Sequence, residues 1–239
     1  MAGDAGDARV SPRSLSAPHI VIAIDGPAAS GKSSVARALA RQIGFIYVNT
    51  GAMYRAITWL AVAKDVPPAD AGRVQQLLHF TEVACGVAAG ESTITLDGMD
   101  PTPHLTEEAV NANVSAIASI AEVRRVLVEK QRAFALHHDL VMEGRDIGSV
   151  VCPDTPYKFY IDASVEIRAQ RRARQGLLDA IGARDRQDSS RKASPLIIAE
   201  DAHVIDSSNL TIDGVVGEIV GRLKMKGLEI ADRGWRIVK

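Results

Sequence analysis

The chain has 239 residues, of which 46% are hydrophobic and 24% are charged, and its formal net charge is −1 at pH 7. This size and composition fit one globular domain with a packed core, or a core that carries smaller inserted lobes. The near-neutral charge gives no reason to expect nucleic acid as a partner, because general nucleic-acid binders are usually much more basic.

Cysteine usage and hydropathy argue against two further classes of protein. Cys85 and Cys152 lie far apart and show no metal-ligand spacing, which favours reduced thiols in a cytosolic protein over a disulfide framework or a zinc site. No apolar run approaches the ~20 residues that span a bilayer, so we expect no membrane partner. Residues 1–17 are rich in Ala, Gly, Asp, Ser and Pro and lack the apolar stretch of a signal peptide, so we predict a disordered tail.

The first predicted element is a short strand. Residues 20–24 form a continuous apolar run that ends in Asp25 and Gly26, which is typical of a central parallel strand followed by a turn. Apolar side chains then recur at helical spacing over residues 35–43, and Gly44 predicts the C-terminal cap of that helix.

Strand-like and helical segments alternate along the rest of the chain. The predicted strands are residues 45–48, 140–142, 157–161 and 203–205, and the predicted helices are residues 53–61, 123–136, 165–175 and 215–223. This alternation predicts an α/β fold, in which helices cover both faces of a parallel central sheet.

Three segments break this rhythm. Residues 82–96 have the pattern of a β-hairpin, which predicts a small inserted lobe over residues 63–112. Residues 166–192 are rich in Arg and poor in large apolar side chains, a composition that favours a mobile surface element. The stretch around Trp235 is polar, and we expect it to be a frayed C-terminal tail.

Residues 26–33 have the pattern Gly, four residues, Gly-Lys-Ser, which is that of a phosphate-binding loop. Its backbone N–H groups and the N-terminus of the next helix are expected to surround the β-phosphate. Lys32 is expected to reach the β- and γ-phosphates, and the Ser33 hydroxyl to bind Mg²⁺. A strand before the loop and a helix after it favour this interpretation over an incidental turn. The predicted ATP-binding residues are Gly26, Pro27, Ala28, Ala29, Ser30, Gly31, Lys32, Ser33 and Ser34.

The loop alone does not define the reaction, because GTPases, motor ATPases and small-molecule kinases all use it. A GTPase should also contain an Asn-Lys-x-Asp motif, and the sequence has no Asn-Lys pair. Residues 50–55 and 143–148 follow two other predicted strands. Ligands of α/β sheets bind beyond the carboxyl ends of the strands, so both segments should lie near the phosphate-binding loop.

These two segments carry side chains that suit a second anion. Thr50 and Arg55 lie at a predicted helix N-terminus, and Arg145 lies between two carboxylates in a glycine-flanked loop. The alternatives are an ordinary helix cap and a salt-bridged loop. Further along, Arg184, Asp188 and Arg191 would share one face of a helix, although such a face is usually just solvated.

Together, these segments closely resemble the bacterial cytidylate kinase family, whose members make CDP from CMP and ATP. The resemblance extends from about Ile20 to Leu223. Two positions depart from the family pattern: Asn49 replaces a common Asp, and Glu143 stands where many members have Asp. The resemblance is carried by residues 24–27, 31–33, 50–55, 143–148 and 184–186, together with Asp188, Arg191, residues 195–196 and residues 206–207.

The resemblance implies a monomer that transfers the γ-phosphate of ATP to CMP or dCMP with Mg²⁺, without nucleic acid or membrane as a partner. It implies a three-layer P-loop NTPase fold with residues 18–62, 113–165 and 193–239 as the core. Residues 63–112 would form the acceptor-nucleotide lobe with a small extra sheet, and residues 166–192 would form the lid.

The resemblance also implies residue roles. The cytosine edge would be read by Ser115, Arg124 and Asp146. The acceptor phosphate would be surrounded by Thr50, Tyr54, Arg55, Arg145 and Arg191. The ribose hydroxyls would be held by Arg184 and Asp188. The catalytic residues would be Lys32, Arg145, Arg184 and Arg191. Independently of the resemblance, the need to neutralise phosphate charge makes Arg168, Arg171 and Arg172 candidates to cover the transferring phosphoryl group; the alternative is that each is a plain surface arginine.

Two alternatives remain open from the sequence. The chain could be a related kinase with another acceptor: one that accepts both UMP and CMP, one that accepts dTMP, or one that accepts AMP. It could instead be a non-enzymatic nucleotide-binding or RNA-binding module. Asp179, Asp185 and Asp188 interrupt the Arg-rich stretch, and aromatic side chains for base stacking are absent from it, which argues against RNA.

Overall fold

The structure of the protein, a computed structural model, describes residues 19–174, 181–189, 196–231 and 234–237. The predicted tail at residues 1–17 and the predicted site residue Arg191 lie outside the described residues. For Arg184, the backbone is described and the side chain is not.

A seven-stranded sheet forms the centre of the fold, in the spatial order β3-β4-β2-β5-β1-β6-β7. The strands are β1 (Val21–Asp25), β2 (Ile46–Asn49), β3 (Val83–Ala88), β4 (Glu91–Leu96), β5 (Leu140–Gly144), β6 (Tyr157–Asp162) and β7 (His203–Asp206). Every neighbouring pair is parallel except the β3–β4 hairpin. The predicted parallel sheet is therefore confirmed.

Eight α-helices are present among the described residues. They are α1 (Lys32–Ile43), α2 (Thr50–Ala63), α3 (Ala71–His79), α4 (Glu108–Ile117), α5 (Ala121–His137), α6 (Val165–Arg174), α7 (Ile181–Ser189) and α8 (Ile212–Met225). A short 3₁₀ turn covers Thr102–His104, and one π-helical turn covers Ile147–Val151. The predicted cap of α1 is confirmed, since Gly44 adopts φ +71° and its N–H bonds the Ala40 carbonyl.

The core consists of two layers of apolar side chains, one on each face of the sheet. Successive side chains of a strand point to opposite faces. Ile22 and Ile24 of β1 accordingly pack with residues of α1 and α8, whereas Val21 and Ala23 pack with residues of α2, α4 and α5. Helices on both sides of a mostly parallel sheet make the three-layer α/β fold expected from the sequence.

The predicted β-hairpin is present, but it does not form a separate small sheet. β4 pairs in parallel with β2, so the hairpin extends the edge of the central sheet. The Tyr47 N–H donates to the Gly90 carbonyl at 2.9 Å, and the Asn49 N–H donates to Ser92 Oγ at 3.2 Å. Local alternation predicts a hairpin but not its partner, which is set by these contacts between distant residues.

The expectation of a frayed tail around Trp235 is wrong. Leu228–Ala231 (β8) and Gly234–Ile237 (β9) form an antiparallel hairpin, with Ile230 opposite Trp235. Leu228 is fully buried in the core layer shared with α1 and α8. This apolar anchor, rather than the polarity of the last residues, accounts for the position of β8 next to α8.

Candidate active site

The carboxyl ends of the parallel strands meet at one edge of the sheet, and the predicted site segments lie there. The phosphate-binding loop follows β1, and α2 follows β2. Residues 143–148 comprise the last two residues of β5 and the four residues after them. We call residues 143–148 the strand-end loop. A cavity of about 480 Å³ opens between these segments, a volume in the usual range for a small-ligand site.

The phosphate-binding loop depends on glycine at two positions. Gly26 has φ +153°, and a Cβ atom there would lie 2.1 Å from the Ile161 carbonyl oxygen. Gly31 has φ +91°, which is unfavourable for residues with a side chain. These glycines let the chain leave β1, curl and enter α1, which is the backbone path that a phosphate cradle requires.

The lysine of the loop is buried against its own backbone and a neighbouring carboxylate. Lys32 Nζ donates to the Pro27 carbonyl at 3.1 Å and lies 3.9 Å from Glu143 Oε2. Ser30 Oγ is buried and has no hydrogen-bond partner in the described part of the chain. A phosphate in the loop would therefore meet a positioned cation and an unused hydroxyl.

The start of α2 is tied to the strand-end loop. The Asn49 side chain caps α2 by accepting from the Ala52 N–H at 3.0 Å, and Thr50 Oγ1 donates to the Glu143 carbonyl at 2.8 Å. A Cβ atom on Gly144 would lie 2.7 Å from Thr50 Oγ1, so glycine allows this approach. The departure at Asn49 thus preserves the capping function, because Asn and Asp are comparable N-caps.

A buried ion pair joins α5 to the strand-end loop. Arg124 Nη2 donates to Asp146 Oδ2, and both side chains are almost inaccessible to solvent. The Arg124 guanidinium also donates to the Ala118 carbonyl at 3.3 Å and lies 5.4 Å from the centre of the Tyr54 ring. The structure thus brings together three residues that the sequence analysis places around the acceptor nucleotide.

A second buried carboxylate connects α7 with the same region. Asp188 is 2% exposed; its Oδ1 accepts from Ser115 Oγ at 3.2 Å, and its Oδ2 accepts from Arg145 Nε at 3.0 Å. The predicted base-reading Ser115 therefore contacts the predicted ribose-binding Asp188. Arg184 lies on the same helix as Asp188, but its predicted contacts fall outside the described side chains, as do those of Arg191.

Three of the four arginines of α6 are the predicted candidates to cover the transferring phosphoryl group, and they occupy different environments. Arg168 donates to the Ala163 carbonyl at 3.0 Å and to Asp185 Oδ2 at 2.6 Å. Arg171 donates to the Ser30 carbonyl at 3.1 Å and to the Ser207 carbonyl at 2.7 Å. Arg172 is buried and lines the cavity, which Arg168 does not. Arg168 also donates to the Ala28 carbonyl at 3.4 Å, so Arg168 and Arg171 both bind the backbone of the phosphate-binding loop.

Comparison with known proteins identifies the family. The sequence profile described as cytidylate kinase matches residues 22–225. The chain belongs to the cytidylate kinase family. It is 43% identical to a cytidylate kinase of Desulforamulus reducens over 213 residues, which are 84% of this chain and 96% of that protein. It is 44% identical to one of Pelotomaculum thermopropionicum, over 84% of this chain and 95% of the relative. A Clostridium botulinum relative is 39% identical, over 86% of this chain and 98% of its own.

Membership of the cytidylate kinase family implies phosphoryl transfer from ATP, usually with a divalent metal ion, and the residues near the loop offer oxygen atoms that could bind one. Mg²⁺ prefers oxygen ligands and usually keeps several waters while it binds one or two protein groups and substrate phosphates. The Ser33 hydroxyl and the Glu143 carboxylate are the candidate protein groups near the loop. The described residues contain no cluster of three or more His, Cys, Asp or Glu that could hold a metal alone.

Two buried carboxylates in or next to the candidate site were not among the predicted site residues: Glu143 lines the cavity, and Asp25 precedes the phosphate-binding loop. Glu143 is buried, and its Oε1 accepts from Tyr47 Oη at 3.1 Å, while burial raises the pKa of Tyr47. Asp25 is also buried, and burial raises its pKa to about 7. Each follows an apolar run near the end of its strand, Asp25 as the last residue of β1 and Glu143 as the next to last of β5. An acidic residue at the end of a buried apolar run is the signal that would have identified them.

No helix among the described residues combines the length and the apolar character that are needed to cross a membrane.

Proposed function

We propose that this protein transfers the γ-phosphate of ATP to CMP or dCMP, giving ADP and CDP or dCDP. The observation that carries the proposal is that one cavity is lined both by the phosphate-binding loop and by the buried Arg124–Asp146 pair. A donor cradle and a base-reading pair in one cavity are what a nucleoside monophosphate kinase needs.

The donor half of the cavity suits ATP. The loop offers backbone N–H groups and Lys32 to the phosphates. Leu210 and Ile212 are partly exposed and line the same cavity close to Ser207. Their apolar surface would accept an adenine ring, while Arg171 holds the loop through the Ser30 carbonyl.

The acceptor half suits cytosine better than uracil. Cytosine presents an amino donor at N4 and acceptors at N3 and O2, whereas uracil presents an acceptor at position 4. Asp146 would accept from the amino group, and Arg124 would donate to the ring acceptors. Facing uracil, the same carboxylate would meet an oxygen and repel it. The Arg124–Asp146 pair therefore supports discrimination between cytosine and uracil by charge as well as by shape.

The mechanism requires positioning and charge neutralisation rather than a strong base. The acceptor is already a phosphate oxyanion, so it does not have to lose a proton from a hydroxyl group. Lys32 and Arg145 line the cavity at its donor and acceptor sides, and Arg172 enters it from the lid segment. They would offset the repulsion between the phosphates of the two substrates as these approach. When bound, Mg²⁺ would supply further neutralisation between the phosphates, with Ser33 and Glu143 as its protein partners.

We also propose that the protein acts in the cytoplasm as a monomer in pyrimidine nucleotide metabolism, without nucleic acid or membrane. Its near-neutral charge and the two half-buried free cysteines support this proposal. Residues 63–112 would hold the acceptor nucleotide, and residues 166–192 would close as a lid that excludes water from the transfer.

The test is a panel of nucleoside monophosphates in a coupled ADP-release assay with ATP and Mg²⁺ held constant. We expect turnover with CMP and dCMP that exceeds turnover with UMP, AMP and dTMP. Preferred turnover of AMP or dTMP would instead identify another kinase of this class. Tight ATP binding without acceptor-dependent turnover would identify a nucleotide-binding module.

A further inference from the structure

Asp25, the last residue of β1, makes a contact that the proposed mechanism does not use. Its Oδ1 accepts from the Ile147 N–H and its Oδ2 accepts from the Gly148 N–H, both at 2.8 Å. These donors begin the π-helical turn Ile147–Val151, whose internal hydrogen bonds involve later N–H groups, starting at Val150. Asp25 thus accepts from the first two N–H groups of the turn, which have no partner within the turn.

The turn follows directly on two residues of the acceptor side. Arg145 and Asp146 precede Ile147 in the strand-end loop, and they contact Asp188 and Arg124 respectively. A shift of the turn would move both side chains, because no flexible linker separates them from it. Asp25 in turn precedes Gly26, where the phosphate-binding loop begins.

The opposite side of the turn is also tightly packed. A Cβ atom on Gly148 would lie 3.1 Å from Lys158 Cδ and 3.5 Å from Asp25 Oδ2. The ammonium group of Lys158 is directed elsewhere, since its Nζ contacts Asp201 Oδ1 at 2.8 Å. The turn is therefore held between the carboxylate of Asp25 and the aliphatic part of Lys158.

We propose that Asp25 is a positioning residue that fixes Arg145 and Asp146 relative to the phosphate-binding loop and so sets the affinity for the acceptor nucleotide. This inference rests on the proposed function. A residue that merely stabilised the fold would affect the kinetics of both substrates alike when it is altered. A positioning residue on the acceptor side raises KM for CMP selectively.

The variant Asp25→Asn tests the inference with little change in volume. The amide can accept from one of the two N–H groups, but its NH₂ group faces the other. We expect KM for CMP to rise on the order of tenfold, the scale of one buried hydrogen-bonding group left unsatisfied. KM for ATP should stay within about twofold of the wild-type value, because the contacts of the phosphate-binding loop itself are retained.

Asp139→Asn is a matched control. Asp139 Oδ1 accepts from the Ile20 N–H at 2.7 Å, so this carboxylate also links β5 to β1, but at the opposite end of these two strands, where they begin. We expect both KM values of this variant to equal those of the wild type. Gly148→Ala is a second test that leaves Asp25 in place. Its methyl group presses on Lys158 and Asp25, and we expect the same selective rise in KM for CMP.

Circular dichroism and thermal melting would establish which variants are folded. If either Asp25→Asn or Gly148→Ala folds and shows the selective rise, the inference is supported. The inference is overturned if each variant that folds either changes both KM values equally or leaves both unchanged. In that case, CMP turnover by the wild type would still support the proposed function. A wild type without CMP turnover would overturn the proposed function, and this inference with it.

Discussion

The Asp146→Asn variant tests how the site recognises cytosine. The substitution keeps an oxygen that can accept from Arg124 but removes the negative charge and offers an NH₂ group. Both partners are about 5% exposed, so solvent does little to weaken their electrostatic interactions. The change therefore alters the hydrogen-bonding pattern presented to the base while it leaves the shape of the cavity nearly intact.

The expected loss follows from one charge-assisted hydrogen bond to the amino group of cytosine. Such a bond contributes about 1.5–3 kcal/mol, which corresponds to a roughly 10- to 100-fold lower kcat/KM for CMP. The amide can donate to the oxygen at position 4 of uracil, so the preference for CMP over UMP should narrow by roughly tenfold. KM for ATP should change by less than about twofold, because Asp146 does not belong to the phosphate-binding loop.

The assay is coupled ADP release with CMP, UMP and ATP varied in separate series. Glu122→Gln is the control, because it weakens an exposed ion pair with Arg125 on the same helix, whose contribution is small. It should leave all three series unchanged. Equal losses for CMP and ATP, or an unchanged preference for CMP over UMP, would refute the assignment of Asp146 to base recognition.

Three further predictions concern the donor side and the stability of the fold. Lys32→Ala should lower kcat by roughly 10³-fold, the scale of losing a charge clamp on the transferred phosphate, and near-normal turnover would contradict the phosphate-binding assignment. Arg171→Ala should raise KM for ATP by roughly fivefold, because the Ser30 carbonyl loses a charged donor, and it should leave KM for CMP unchanged. A rise in KM for CMP alone would contradict this prediction. Burial raises the pKa of Asp25 from 3.8 to about 7, so the folded state binds more protons than the unfolded state between these values. Its contribution to the free energy of unfolding is therefore lost as the pH rises from about 4 to about 7. The Tm of Asp25→Asn relative to wild type should be higher at about pH 8 than at about pH 5, and the opposite trend would show that the carboxylate is ionised well below pH 7.

Local patterns were sufficient to predict the strand, loop and helix around the predicted ATP-binding residues. The phosphate-binding loop is defined by eight consecutive residues whose chemistry requires glycine and lysine at fixed positions. The apolar run before it and the Gly44 cap after it depend on neighbouring residues alone. The resemblance to cytidylate kinases then placed Arg124 and Asp146 together, which their positions in the sequence do not reveal.

Features that depend on contacts between distant residues were not predictable in the same way. The pairing of β4 with β2 joins Tyr47 to Glu91, and nothing in either segment specifies the other. The contact of Asp25 with the π-helical turn joins residues more than a hundred positions apart. The difference between Arg168 and Arg172 depends on how α6 faces the cavity, which its charge pattern does not determine.

The fate of the γ-phosphate tests the central claim most directly. The purified protein would be incubated with ATP labelled at the γ-position, Mg²⁺ and CMP, and the products separated by chromatography. We predict that the label appears in CDP at the rate at which ADP forms, and that omission of CMP abolishes both. Label released as inorganic phosphate, or retained in ATP in the presence of CMP, would contradict the assignment as a CMP kinase.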